Sequence, residues 1–186
     1  MVVCEGETES EYFEAARLKL GLTTAEVILA DNSIGSAPIS VVQCAEAKCA
    51  ERGGYDHVFC VFDRDDHESF GRARARITTL ARRKRDPLPV LEAISIPCFE
   101  FWVLLHYERT DRPFRRCDDV VRQLSQRHLP GYVKADAAVA KNLMDRLDTA
   151  IEHANWLEGR AADIGDNPST SIHHLIRHFQ QAAQRA

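Results

Sequence analysis

A run of five apolar residues that ends abruptly in aspartates constrains this chain more than any other feature. The run extends from Val58 to Phe62 and is followed by Asp63, Asp65 and Asp66. A continuous apolar run of this length is typical of a strand that is buried on both faces of a sheet. The chain is therefore expected to build a mainly parallel sheet around this strand and to place carboxylates at the edge of that sheet.

The spacing of the aspartates indicates a cation site. Residues two apart in an extended backbone project to the same side, so Asp63 and Asp65 can point together. Neighbouring carboxylates repel each other unless a proton or a cation lies between them. Mg²⁺ prefers oxygen ligands and usually takes one or two carboxylates from the protein. Taken alone, the stretch fits a solvated acidic turn equally well.

Composition and length set broad limits on the protein. The 186 residues suffice for one domain with a sizeable core. No apolar run approaches the roughly 20 residues that cross a bilayer, and no signal peptide is recognisable, so we expect a cytoplasmic protein without a membrane partner. Six cysteines lack Cys-x-x-Cys spacing, which disfavours structural zinc. Cys4 and Cys60 lie in apolar runs and are expected to be reduced and buried.

Strand and helix signals alternate through the first part of the chain. Strands are predicted at 2–4, 26–30, 57–62 and 90–96, and helices at 8–20, 38–52, 68–85 and 97–107. Thr8 and Glu11 fit a capping box at the start of the first helix. After Pro113 only helices are predicted, at 117–127, 136–158 and 169–185. We therefore expect an α/β domain at 1–110 and a helical part at 111–186 packed on it.

Acidic residues follow two of the predicted strands. Glu5 and Glu7 come after the first strand, and the aspartates come after the third. Ligands of open α/β sheets bind beyond the carboxyl ends of the strands. If these two strands are parallel neighbours, the carboxylates form a pocket suited to one or two Mg²⁺ or Mn²⁺ ions. Glu7 can also be explained as an acid that stabilises a helix N-terminus. His67 can also be explained as a solvated or capping residue.

Further polar residues have both a functional and a structural interpretation. Glu100 lies in an otherwise apolar helix, where it either serves metal or substrate binding or is stabilised by the helix N-terminus. His106 lies on another face of that helix and also fits a core histidine. The pair Asn167-Pro168 fits an N-cap and first helical residue, which would place Ser169 and Thr170 at a helix N-terminus able to bind an anion.

A basic segment follows the acidic residues. It contains no acid from Arg72 to Arg85, and its candidate nucleic-acid-binding residues are Arg72, Arg76, Arg82, Arg83 and Lys84. Such side chains would neutralise the phosphates of a nucleic acid lying across the acidic site. A charge run of this kind also fits a solvated face. Lys134 is a further candidate, as a point charge on the phosphate to be cleaved.

The separate motifs together resemble the Toprim domain and, more narrowly, the RloB-like family of prokaryotic defence proteins. The Toprim resemblance lies in Cys4-Glu5-Gly6-Glu7-Thr8-Glu9 and in Val61-Phe62-Asp63-Arg64-Asp65-Asp66-His67. The RloB-like resemblance extends to the segment 97–106, to Lys134 after Tyr132, and to Asn167-Pro168-Ser169-Thr170. The resemblance implies a Toprim-like, Rossmann-like α/β fold and a metal-dependent nuclease that acts in abortive infection on RNA such as tRNA, or on DNA.

The resemblance also implies roles for individual residues. Asp63 and Asp65 would bind Mg²⁺ or Mn²⁺, helped by Asp66, and Glu5 would be a general acid/base or a ligand. Glu100 joins them as a catalytic candidate, and the auxiliary candidates are Glu7, His67, His106, Asn167, Ser169 and Thr170. An ATPase partner of the AAA or ABC type and a homo-oligomer are expected. The alternative is a regulatory subunit that binds a metal or nucleotide without cutting.

Overall fold

A five-stranded sheet forms the centre of the molecule in the computed structural model, which describes residues 1–30, 37–64, 68–160 and 167–185. Its strands are β1 (Val2–Cys4), β2 (Val27–Leu29), β3 (Val58–Asp63), β4 (Val90–Ile96) and β5 (Ser169–Thr170). They lie in the order β2-β1-β3-β4-β5, and β5 alone among them is antiparallel to its neighbour. The mainly parallel α/β architecture confirms the predicted fold class.

Helices cover both faces of this sheet. They are α1 (Glu7–Lys19), α2 (Pro38–Arg52), α3 (Phe70–Ala81), α4 (Phe99–Leu105), α5 (Cys117–Arg127), α6 (Ala137–Leu143), α7 (Leu147–Glu158) and α8 (Ile172–Ala183). One face packs against α2 and α3, and the other packs against α1, α4, α5, α7 and α8. Among the described residues, no helix has the length and apolarity that a membrane span requires.

The central strand β3 is buried on both sides, as its sequence predicts. Val58, Cys60 and Phe62 point toward α2 and α3, whereas Phe59 and Val61 point toward α1 and α4. All five side chains are almost fully inaccessible to solvent. Burial of alternate side chains in two different cores fixes the register of β3, because a slip of one residue would exchange the two sets.

The predicted capping box at the start of α1 is wrong. The helix begins at Glu7 with Gly6 as its N-cap, and no side chain caps it. Thr8 therefore lies inside the first turn, where its hydroxyl accepts a hydrogen bond from the Ala135 N–H at 3.1 Å. The turn after β1 is too short to leave Thr8 in front of the helix, so its hydroxyl connects α1 to a distant loop instead.

The C-terminal part is not wholly helical. The predicted helix at 169–185 begins only at Ile172, because Ser169 and Thr170 pair with Ile96 and Ser95 as β5. Asn167 is not an N-cap: its Oδ1 accepts a hydrogen bond from the Phe114 N–H, and its Nδ2 donates to the Phe114 carbonyl. A strand of two residues has no periodic signal, so only its pairing with β4 reveals it.

Two smaller features complete the fold. The predicted helix at 136–158 divides into α6 and α7 at a 3₁₀ turn, Met144–Arg146, and Asp136 caps α6 by accepting from the backbone N–H groups of two residues in its first turn. Cys4 and Cys60 are buried and free, as expected. A disulfide between Cys98 and Cys117, which the sequence does not indicate, joins the start of α4 to the start of α5.

Ser171 provides a test of how β5 and α8 are attached to the sheet. Its Oγ accepts from the Ile94 N–H at 2.9 Å, and its own N–H donates to the Ile94 carbonyl at 2.8 Å. Ser171→Ala would leave a buried N–H without a partner, so we expect the free energy of unfolding to fall by about 1–3 kcal/mol in urea titrations. Thr149→Ala, on the exposed face of α7, should change it by less than about 0.5 kcal/mol. Equal effects of the two substitutions would contradict this interpretation.

Candidate active site

The two acidic motifs meet at the carboxyl edge of the sheet. β1 and β3 are parallel neighbours with Cys4 opposite Val61, the pairing that a shared carboxylate pocket requires. The Asp63 N–H donates to Glu5 Oε2 at 3.3 Å, and the Glu5 N–H donates to the Val61 carbonyl at 3.1 Å. The chain leaves β1 toward β2 and leaves β3 toward β4, so this edge is the switch point at which open α/β sheets bind ligands.

Asp63 is the described member of the predicted aspartate motif. Asp65, Asp66 and His67 lie outside the described residues, so their predicted roles stay predictions. Desolvation by the surrounding protein raises the pKa of Asp63 well above its usual range, and the carboxylates of Glu9, Glu100 and Glu5 raise it further. A hydrogen bond from the Phe99 backbone acts in the opposite direction. Asp63 is therefore held among three other acids that favour a bound proton or cation.

Glu9 belongs to this group but is absent from the predicted site residues. It is only 6% exposed, and burial raises its pKa from 4.5 to about 7, opposed by a backbone hydrogen bond and assisted by Glu100 and Glu5. A Cβ at Gly6 would lie 2.7 Å from Glu9 Oε2, so glycine is needed for this close approach. The signal was present in the sequence, since Glu9 lies on the buried stripe of α1 with Tyr12, Phe13 and Ala16.

Lys134 adds a positive charge to this group of acids. Its Nζ lies 2.9 Å from Glu100 Oε1, and Glu100 is only 2% exposed. Burial lowers the pKa of Lys134, but Glu100, Asp63 and Glu9 together raise it above its ordinary value. One ammonium thus interacts with the carboxylates of Glu9, Asp63 and Glu100. The excess negative charge suits a hard divalent cation, whose ligands in proteins are oxygens.

Hydroxyl groups extend the site across the sheet. Asp63 is opposite Ser95 in β4, and Ser95 is opposite Thr170 in β5. The hydroxyls of Ser95 and Thr170 lie 2.9 Å apart. Ser169 Oγ is buried and has no hydrogen-bond partner among the described residues. Ser169 and Thr170 therefore join this edge of the sheet through strand pairing, whereas the sequence predicted a helix N-terminus there.

Two further groups of side chains have the spacing of metal ligands. Ligand atoms of Cys98, Glu100 and Cys117 lie within 4.8 Å of one another, as do those of Glu158, His173 and His174. The two cysteines of the first group form the disulfide. In the second group, Glu158 binds His174 Nε2 at 2.9 Å and His173 Nε2 at 3.2 Å. These residues come from different elements, so spacing along the sequence could not reveal them.

Two of the predicted auxiliary residues, Glu7 and His106, differ in their surroundings. Glu7 is exposed in the first turn of α1. His106 is fully buried, with Nε2 3.0 Å from the Tyr12 hydroxyl and Nδ1 3.0 Å from the Trp102 carbonyl. Burial lowers the pKa of His106 to about 4. The ring is therefore neutral and satisfied within the aromatic core, the structural interpretation that the sequence left open.

The predicted basic surface lies on α3 and the turn that follows it. This helix packs on the sheet face opposite to α4, which carries Glu100. Arg76 and Arg83 both bind the carboxylate of Glu46 on α2, at 2.7 and 2.5 Å. Arg72, Arg82 and Lys84 are exposed. Two of the five basic residues predicted on this surface thus already share one carboxylate of the protein.

The raised pKa of Glu9 predicts a specific pH dependence of stability. The native state keeps the Glu9 proton up to about pH 7, whereas the unfolded chain releases it near pH 4.5. The native state therefore binds more protons in this window, and stability falls as the pH rises through it. Glu9→Gln cannot ionise, so in EDTA we expect it to exceed the wild type at pH 8 by about 3 kcal/mol and to match it at pH 4.

Urea unfolding at both pH values measures this difference. Glu11→Gln is the matched control, because it makes the same chemical change on the exposed side of α1. It should follow the wild type at both pH values. A Glu9→Gln protein that gains nothing at pH 8 would contradict the raised pKa.

Comparison with known proteins identifies the family. No curated protein and no solved structure gives a significant match. A family model described as RloB-like protein matches residues 1–179. That match includes every described residue of the carboxylate site together with β5 and most of α8. The chain therefore belongs to the RloB-like family.

Proposed function

We propose that this protein is a Mg²⁺-dependent nuclease with a Toprim-like active site at the carboxyl edge between β1 and β3. The observation that carries the proposal is the convergence of Glu5, Glu9, Asp63 and Glu100 at one edge of the sheet, where burial and neighbouring acids raise the pKa of Glu9 and of Asp63 and the Lys134 ammonium contacts Glu100. Such a group is costly to a folded protein unless it binds a cation. Hydrolysis of phosphodiesters is a reaction in which bound Mg²⁺ is directly useful.

Each described residue has a distinct task in this mechanism. Asp63 would hold the cation together with Asp65, and Glu5 is oriented toward the same place by the Asp63 N–H. A bound Mg²⁺ would activate a water molecule and stabilise the leaving oxygen. Glu9, with a pKa of about 7, can hold or release a proton near neutral pH, as a general acid or base must. Lys134, fixed by Glu100, would contact the phosphate that is cleaved.

The biological setting is part of the proposal. Membership of the RloB-like family favours a defence effector that damages nucleic acid during infection, with tRNA, other RNA or DNA as the substrate. An ATPase of the AAA or ABC type would restrain or release the nuclease, because unregulated cleavage of the host's own nucleic acid is lethal.

Cleavage assays test the reaction and its residues. Purified protein is incubated with tRNA, single-stranded DNA and duplex DNA, with Mg²⁺, Mn²⁺ or EDTA. We expect cleavage with the metals and none in EDTA. Asp63→Asn, which removes a ligand but keeps the side-chain shape, should reduce the rate at least about 100-fold. Glu5→Gln and Glu100→Gln should also be impaired, whereas Glu11→Gln keeps the wild-type rate.

Two outcomes would contradict the proposal. Cleavage that survives EDTA or Asp63→Asn would exclude the metal mechanism at this edge. Absence of cleavage on all three substrates, with Mn²⁺ bound at the site and the ATPase present, would instead favour the non-cleaving regulatory subunit.

A further inference from the structure

We propose that the phosphate backbone of the substrate lies in a groove between α5 and the segment that precedes it, an inference that rests on the proposed nuclease function. This arginine groove is lined by Arg112, Arg115, Arg122 and Arg127 and has a volume of about 460 Å³. Asp119 is the acid among its lining residues, which also include the amides of Gln123 and Gln126. Four guanidinium groups beside one carboxylate form a site for a polyanion.

The sequence of α5 explains why these side chains gather on one surface. Positions 119, 122, 123, 126 and 127 recur at intervals of three and four residues, which places them on one face of a helix. The adjoining face carries Val120 and Leu124, and both are buried in the core. Burial of that apolar face leaves the stripe of arginines and glutamines at the surface, where it lines the groove with Arg112 and Arg115.

The charges of the groove are only partly neutralised within the protein. Arg122 lies 3.1 Å from Asp119, and Arg127 lies 3.9 Å from a Glu108 oxygen that His128 approaches more closely. Arg112 and Arg115 are exposed, and neither has an acidic partner within the described parts of the chain. On the basic surface of α3 and the turn after it, by contrast, Arg76 and Arg83 share the carboxylate of Glu46. Arg112 and Arg115 are therefore two cations of the groove that remain available to phosphates.

The groove is also attached to the carboxylate site. Cys117, two residues after Arg115, is joined to Cys98 by the disulfide, and its Sγ lies 3.0 Å from Glu100 Oε2. Phe114 packs on Phe101 of α4 with ring centroids 6.0 Å apart. A nucleic-acid strand bound in the groove would therefore extend to the edge of the sheet where Glu100 and Lys134 lie.

Binding measurements without cleavage test this placement. A labelled single-stranded oligonucleotide is titrated with Asp63→Asn protein in EDTA over a series of salt concentrations, and affinity is read from fluorescence anisotropy. Adding Arg112→Gln and Arg115→Gln should weaken binding about tenfold or more and reduce the slope of log affinity against log salt by about 1.4, the value for two lost phosphate contacts on a single strand. Circular dichroism verifies that these exposed substitutions preserve the fold.

The corresponding change in the turn after α3 provides the comparison. Arg82→Gln with Lys84→Gln removes the same charge and should leave the salt slope within error of the parent protein. Loss of affinity with this turn pair but not with the groove pair, or equal loss with both, would overturn the inference. Groove-dependent binding by a wild-type protein that never cleaves would support the groove and contradict the nuclease, so the two proposals fail separately.

Discussion

Parallel pairing of β1 with β3 is the interaction on which the rest of the structure depends. It aligns Cys4, the last residue of β1, with Val61, so β3 extends two residues beyond the end of β1. The Glu5 side chain then accepts the hydrogen bond of the Asp63 amide, where a longer β1 would have supplied a strand partner. The sheet thus ends in a carboxylate, and the helices α1 and α4 bring Glu9 and Glu100 to that end because they pack on the same face.

The clustering of buried carboxylates in the site is electrostatically unfavourable. The pKa values of Glu9 and Asp63 are raised chiefly by burial and then by neighbouring acids, so the surrounding core must stabilise what the carboxylates destabilise. The aromatic packing of Tyr12, Phe99 and Trp102 behind them supplies such support. A close-packed apolar layer of this kind keeps the acids from moving apart.

Much of this arrangement could be predicted from the sequence, and the exceptions have physical causes. The run Val58–Phe62 predicts a doubly buried strand because only a central position buries both faces. Glu9 escapes attention because a glutamate in an amphipathic helix is usually exposed, and only its place on the apolar stripe distinguishes it. β5 and the disulfide depend on contacts between residues far apart in the chain. The ion pairs of Arg76 and Arg83 depend on how α2 and α3 pack, which no local pattern specifies.

The pairing of β5 with β4 has a consequence for the order in which the site is completed. Ser95 and Thr170 are separated by 75 positions, so the ribosome must make α5, α6 and α7 before the last strand can join the sheet. Until then Thr170 is missing from the set of neighbouring residues Asp63, Ser95 and Thr170 at the edge of the sheet. The backbone groups of β4 on that side have no strand partner. The acidic residues are therefore synthesised long before the five-stranded sheet can be completed. The site cannot be fully assembled until the C-terminal part of the chain has been made.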